Sequence, residues 1–198
     1  MNLLMIAEIA EGLNLSSFGP EFKNHMESKR NAAVYASSST AWHLLEIALK
    51  KSGIPEIPHV CFEEKGKPVF VNSSLYFSLS HSGKLAVALL SDSPCAVDIE
   101  VVKDTVKDKL ILRCLNEREL ELGCDFFECW TKKECMGKLS GEGLPSHPNQ
   151  MDSLNSVYAN HFHLRRFADV TGQEYALSAL CMNHDELHIQ KIEPEELY

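Results

Sequence analysis

The sequence predicts an α+β fold, and three features of residue order predict it. A Pro- and Gly-free stretch from 21 to 51 carries apolar residues at helical spacing. Residues 59–100 hold short β-rich runs divided by turn residues. Helical patterns then cluster over 105–140, and strands return toward the end of the chain. Helices and strands are grouped, not alternated as in a doubly wound sheet. A boundary near residues 92–96 divides the chain into halves of similar size, 1–95 and 96–198, each with helix and strands.

The opening MNLLMIAEIAEG is apolar but short, lacks a basic leader and carries Glu8 and Glu11. It reads as a strand, not a signal peptide. Ala33, Ala36, Leu44, Leu45, Ala48 and Leu49 mark the long helix, with a hydroxyl-rich run at 37–40 inside it. Gly53 ends that helix, with Pro55 and Pro58 beyond. HVCFEE, PVFV, LYFSLS, LAVALL and CAVDIE read as strands, divided at Gly66, 72–74, Gly83 and 92–94. VKDKLILRCL reads as a helix. NERELELG is a second, with Asn116 as N-cap and Glu119 in capping-box position. DFFECWTKKECMGKL is a third, capped by Asp125 and stopped by Gly141 and Gly143. HFHLRRFA, EYALSALCM and LHIQKI return to strand character.

Composition excludes several classes. Among the 198 residues the net charge is −9, which makes a poor non-specific partner for nucleic acid. No stretch approaches the roughly 18 apolar residues of a membrane helix. The seven cysteines are odd in number and show no Cys-x-x-Cys spacing. Free thiols in a cytoplasmic protein account for them, with zinc ligation by Cys124, Cys129 and Cys135 as the alternative.

Three short segments carry chemistry. Asp98 and Glu100, in AVDIE, are i and i+2 on one strand and project to the same face. Two carboxylates held together are costly unless a cation neutralises them, and with substrate phosphates they suit Mg²⁺. A solvent-facing acidic strand end is the alternative. Glu134 and Lys138 are i, i+4 on one helix, with Phe127 and Trp130 on the same face. They suit either a surface ion pair or the wall of a cleft. Ser80, His81 and Ser82, read as lying just after a strand, offer hydroxyls, an imidazole and turn amides to a phosphate. A structural turn is the alternative there, and no Gly-x-Ser-x-Gly elbow supports a serine nucleophile.

In order along the chain, Gly66-Lys67-Pro68, FSLSHSG, AVDIE and WTKKECMGKLSGEGL resemble the motifs of the surfactin-synthetase-activating (Sfp-type) phosphopantetheinyl transferases. The resemblance runs from about residue 63 to residue 144, and the last motif is the most specific. It implies a monomeric pseudo-dimer of two similar α/β halves with the active site in the cleft between them. It implies transfer of the 4′-phosphopantetheine group of coenzyme A to a serine of an apo-acyl or peptidyl carrier protein, with Mg²⁺. Asp98, Glu100 and Glu134 match the metal-holding acids, and Glu134 also matches the general base. Lys138 matches the lysine near the scissile phosphate. His81, with Ser80 beside it, matches the phosphate-binding histidine, and Lys67 a lysine near the nucleotide. Arg30, with Lys23 and Lys29 as further candidates, is expected at the 3′-phosphate. Two positions depart from the pattern: Ala96 stands where Gly is usual, and Ser78 where Asn is usual. A coenzyme A- or carrier-binding module without catalysis, and a metal-dependent phosphoester hydrolase, are the competing classes.

Overall fold

The computed structural model describes residues 1–13, 15, 18, 22, 24–26, 31–155 and 157–198. Its fold is mixed α+β, as the residue order predicts. In chain order the elements are β1 (Asn2–Glu8), α1 (Ala32–Lys51), β2 (Val60–Phe62), β3 (Pro68–Phe70), β4 (Tyr76–Ser82), β5 (Leu85–Ser91) and β6 (Cys95–Val101). There follow α2 (Asp108–Cys114), α3 (Glu117–Glu121), α4 (Phe126–Ser140), β7 (Phe162–Ala168), β8 (Glu174–Cys181) and β9 (Leu187–Lys191). Among the described residues the strands form three sheets, ordered β4-β5-β1-β9, β2-β3 and β6-β8-β7.

The long helix starts later than its Pro- and Gly-free stretch suggests. Asn31 adopts an extended backbone (φ −89°, ψ 122°) and its side chain accepts from the N–H groups of Ala33 and Val34. That cap satisfies two of the donors a helix start leaves unpaired, and so fixes the start of α1. The hydroxyls of the 37–40 run return to the helix's own carbonyls: Ser37 to Ala33, Ser39 and Thr40 to Ala36. Such bonds let Ser39 and Thr40 be buried without loss. Thr40 Oγ1 also accepts from the Ala10 N–H at 3.0 Å, tying α1 to the chain after β1.

The four-stranded sheet is covered on both faces. Met5, Ala86, Ala88 and Leu90 face α1, where they meet Leu45, Ala48 and Trp42. Leu4, Val87 and Leu89 face the other way and pack on Val97, Ile99, Leu177 and Ala179 of the β6-β8-β7 sheet. Alternation along each strand separates the two cores. Every residue of β5 is therefore buried, which explains its near-continuous apolar run. The outer face of the β6-β8-β7 sheet packs on α4 through Ala96, Leu180 and Cys135. The layers run α1, sheet, sheet, α4. The last strand, β9, joins the first sheet by pairing parallel to β1.

The helix signals hold locally. Asn116 and Glu119 form the reciprocal capping box, and Asp125 caps α4 through the Glu128 N–H. Gly141 ends α4 in the left-handed conformation (φ 78°), which glycine adopts without a Cβ penalty.

Candidate active site

Strand alternation decides what meets what. Ala96, Asp98 and Glu100 share one face of β6, and the buried Ala96 of that face packs on α4. The two carboxylates therefore face the helix that carries Glu134 and Lys138. All four line one cavity of about 550 Å³, together with Lys67, Ser80, His81 and Trp130. The four sequence motifs thus converge. Arg30, Lys23 and Lys29 lie outside the described residues.

Among the described strands, β6 pairs with β8 on one edge only. Its other edge carries N–H groups that would otherwise lack a partner. Three serines of β4 supply it. The N–H groups of Val97, Ile99 and Val101 donate to the hydroxyls of Ser78, Ser80 and Ser82 at 3.0, 3.4 and 3.1 Å. Two of these hydroxyls donate onward, Ser80 to Asp98 Oδ1 at 2.8 Å and Ser82 to Glu100 Oε1 at 3.2 Å. Ser80, His81 and Ser82 lie within β4 itself, not in the turn after it. The strand continues because Ser80, His81 and Ser82 pair with Val87, Ala86 and Leu85 of the antiparallel β5. The turn that follows admits only glycine at 83: φ is +57°, and an added Cβ would sit 2.5 Å from Val101 Cγ2 and 2.8 Å from the Tyr175 hydroxyl.

Lys138 does not close an ion pair with Glu134 one turn away. Its ammonium donates to Asp98 Oδ1 at 2.7 Å, to the Val97 carbonyl at 2.8 Å and to the Leu79 carbonyl at 3.3 Å. It joins α4, β6 and β4 at one point. Lys67 donates to the Leu139 carbonyl at 2.7 Å, a cation at the last turn of α4. Lys65 pairs with Glu142, so the turn between β2 and β3 is held to the loop after α4.

The carboxylates are electrostatically frustrated. Burial, then the neighbouring Asp98 charge, pushes the Glu134 carboxyl above its ordinary value, and Lys138 offsets only part of this. Glu100 is raised for the same reasons, with the Ser82 hydrogen bond acting against the rise. Glu134 is half-buried and takes no hydrogen bond or ion pair from the described residues. Asp98 Oδ2 is buried without a hydrogen-bond partner among the described residues. Such groups are costly unless something else pairs with them. Among the described residues, no three or more His, Cys, Asp and Glu side chains are gathered so that they could hold a metal ion by themselves.

Sequence reasoning missed the roles of Ser78 and Ser82. Their signal was present as a Ser-x-Ser-x-Ser alternation over 78–82. It also gave Lys133 no partner; the structure buries Lys133 completely against Glu119. No helix among the described residues is long and apolar enough to cross a membrane.

No family model matches the chain. Curated proteins do. The chain is 29% identical over 126 residues to 4′-phosphopantetheinyl transferase AcpT of Escherichia coli O157:H7, covering 56% of this chain and 61% of that protein. It is 32% identical over 91 residues to 4′-phosphopantetheinyl transferase psf-1 of Bacillus pumilus, covering 41% of this chain and 39% of that protein. It is 32% identical over 90 residues to 4′-phosphopantetheinyl transferase gsp of Aneurinibacillus migulanus, covering 41% and 37%. The matches thus span 61% of the AcpT length and about two fifths of the other two. The chain is therefore a homologue, at modest identity over about half its length, of proteins named 4′-phosphopantetheinyl transferases.

Proposed function

We propose that the chain moves the 4′-phosphopantetheine group of coenzyme A onto a serine of an apo-acyl or peptidyl carrier protein, releasing 3′,5′-ADP. One observation carries this reading: four motifs separated in sequence line a single cavity, with three carboxylates and a lysine on its wall. The names of the homologues support it.

The carrier serine oxygen forms a bond to the phosphorus that bears pantetheine. The bond from that phosphorus to the diphosphate bridging oxygen breaks, and 3′,5′-ADP leaves. Glu134 accepts the serine proton. Its raised basicity, and its freedom from hydrogen bonds and ion pairs among the described residues, suit it to that task. Lys138 places a positive charge at the cavity wall, where it offsets charge on the departing phosphate. His81, with Ser80 beside it, faces the coenzyme A phosphates, and Lys67 the nucleotide. The Ser80 hydroxyl is committed to Ile99 and Asp98, so its part is to hold the site's shape. Arg30 is assigned to the 3′-phosphate. Positioning and electrostatics supply most of such a displacement.

The donor set fits a divalent cation. Asp98, Glu100 and Glu134 provide hard oxygen ligands, and the unpaired buried Asp98 Oδ2 is an acceptor in want of a partner. An open set completed by substrate oxygens and water suits Mg²⁺ better than a closed cage. When bound, Mg²⁺ neutralises charge on the diphosphate. The same reading makes the chain a cytoplasmic monomer of two similar halves, 1–95 and 96–198, with β9 crossing from the second half to join the sheet of the first.

The test combines apo-carrier proteins of fatty-acid, polyketide and peptide synthesis with coenzyme A and Mg²⁺, read by intact mass. A gain of one phosphopantetheine on a carrier serine is expected. Release of phosphopantetheine without any acceptor would make the chain a phosphoester hydrolase. No gain on any carrier, with coenzyme A bound, would make it a binding module.

A further inference from the structure

A hydroxyl has one proton and two lone pairs, so what it accepts limits where its proton points. Ser80 and Ser82 each accept an N–H of the β6 edge and donate to the carboxylate one residue before that N–H. The matched spacing is a consequence of strand geometry. Residues i and i+2 repeat at the same rise on β4 and β6, so two hydroxyls meet two carboxylates in register. The two pairs differ in their support. Asp98 is held by Ser80 and also by Lys138. Glu100 takes its one side-chain hydrogen bond among the described residues from Ser82. Ser78 continues the ladder opposite Ala96, where there is no carboxylate to orient.

We propose that Ser82 is a positioning residue for the reaction: the Val101 N–H sets its hydroxyl, and the hydroxyl in turn aims the Glu100 carboxylate into the cavity. This rests on the reading of Glu100 as a metal ligand. Ser82 touches neither substrate nor cation; it acts through Glu100. Partners of this kind around metal ligands typically matter by about 10–100-fold in metal affinity.

The experiment titrates Mn²⁺ into the enzyme in the presence of coenzyme A and reads free Mn²⁺ by electron paramagnetic resonance. Ser82→Ala is expected to weaken Mn²⁺ about tenfold or more, and to raise the metal concentration for half-maximal activity more than it lowers kcat. Ser82→Thr, which keeps the hydroxyl, restores binding. Ser82→Cys, a similar shape with a weak donor, falls between, and serves if the alanine variant does not fold. Ser78→Ala is the control. It removes a rung of the same ladder, so it lowers the melting temperature while Mn²⁺ affinity stays unchanged. Unchanged Mn²⁺ affinity in a folded Ser82→Ala or Ser82→Cys overturns the proposal. So does an equal loss in Ser78→Ala, which would make the ladder purely structural. Absence of Mn²⁺ binding by the parent enzyme overturns the metal reading itself, and is recognised as such because every variant then looks alike.

Discussion

Lys133 Nζ lies 2.6 Å from Glu119 Oε2, and both side chains are completely buried. The ammonium also donates to the Cys114 carbonyl at 2.6 Å, and the carboxylate accepts from the Asn116 and Ser153 N–H groups at 2.9 and 2.8 Å. One ion pair therefore binds α4 to the ends of α2 and α3 and to the chain near residue 153. It stands one residue away from Glu134, on the helix that also carries Lys138.

Removing one partner strands a buried charge. Lys133→Met is expected to destabilise the fold by about 3–5 kcal/mol, measured by urea unfolding. The double variant Lys133→Met/Glu119→Leu should lose much less than the two single losses added, because no charge is left unpaired. Additive losses would show that the two side chains do not act as a pair.

The same pair sets an acid limit. Burial alone would raise the Glu119 carboxyl, but hydrogen bonds from Lys133, Ser153 and Asn116 outweigh it and hold it below its ordinary 4.5. A carboxyl lowered in the folded state contributes stability that is fully present above its unfolded value. That contribution is lost as pH falls through the folded one. The melting temperature should therefore drop below about pH 4.5, and Glu119→Gln should flatten that slope while lowering stability at neutral pH. Circular dichroism melts across that range decide it.

Glu134→Gln keeps the size of the side chain and removes its basicity. Carrier modification should fall by about 10²–10⁴-fold with the fold retained, read as the rate of holo-carrier formation by chromatography. Near-parent turnover would remove Glu134 from the role of base.

Asp98→Ala should abolish transfer or raise the Mg²⁺ requirement, and a chelator should silence the parent enzyme. The substitution also removes the acceptor that Lys138 Nζ holds at 2.7 Å. Activity that became independent of added metal would contradict the assignment of Asp98 as a ligand.

Gly137 lies where α4 meets the loop that follows it. An added Cβ would stand 2.7 Å from the Gly143 carbonyl carbon. Gly137→Ala should cost about 1–3 kcal/mol through overpacking, although alanine favours a helix interior over glycine by about 1 kcal/mol. A variant as stable as the parent, by thermal melt, would show that the loop yields freely.

Much of this protein is determined by residues close together in the chain. The Asn116–Glu119 box, the Asp125 cap and the Gly141 stop bring together groups within a few residues, so the chain order alone specifies them. The same holds for Asp98 and Glu100, which share a face because strand geometry repeats every second residue. The motif series also marks residues of the cavity's wall. Only the tertiary structure decided which elements would meet. Lys138 and Glu134 were spaced for a helical ion pair, yet Lys138 bonds Asp98, because α4 crosses β6 at that height. Ser80 offered a hydroxyl for phosphate, yet it serves the free edge of β6. β9, last of the strands, pairs with β1, the first. Contacts between separated elements depend on how whole faces pack, and spacing along the chain carries no record of that.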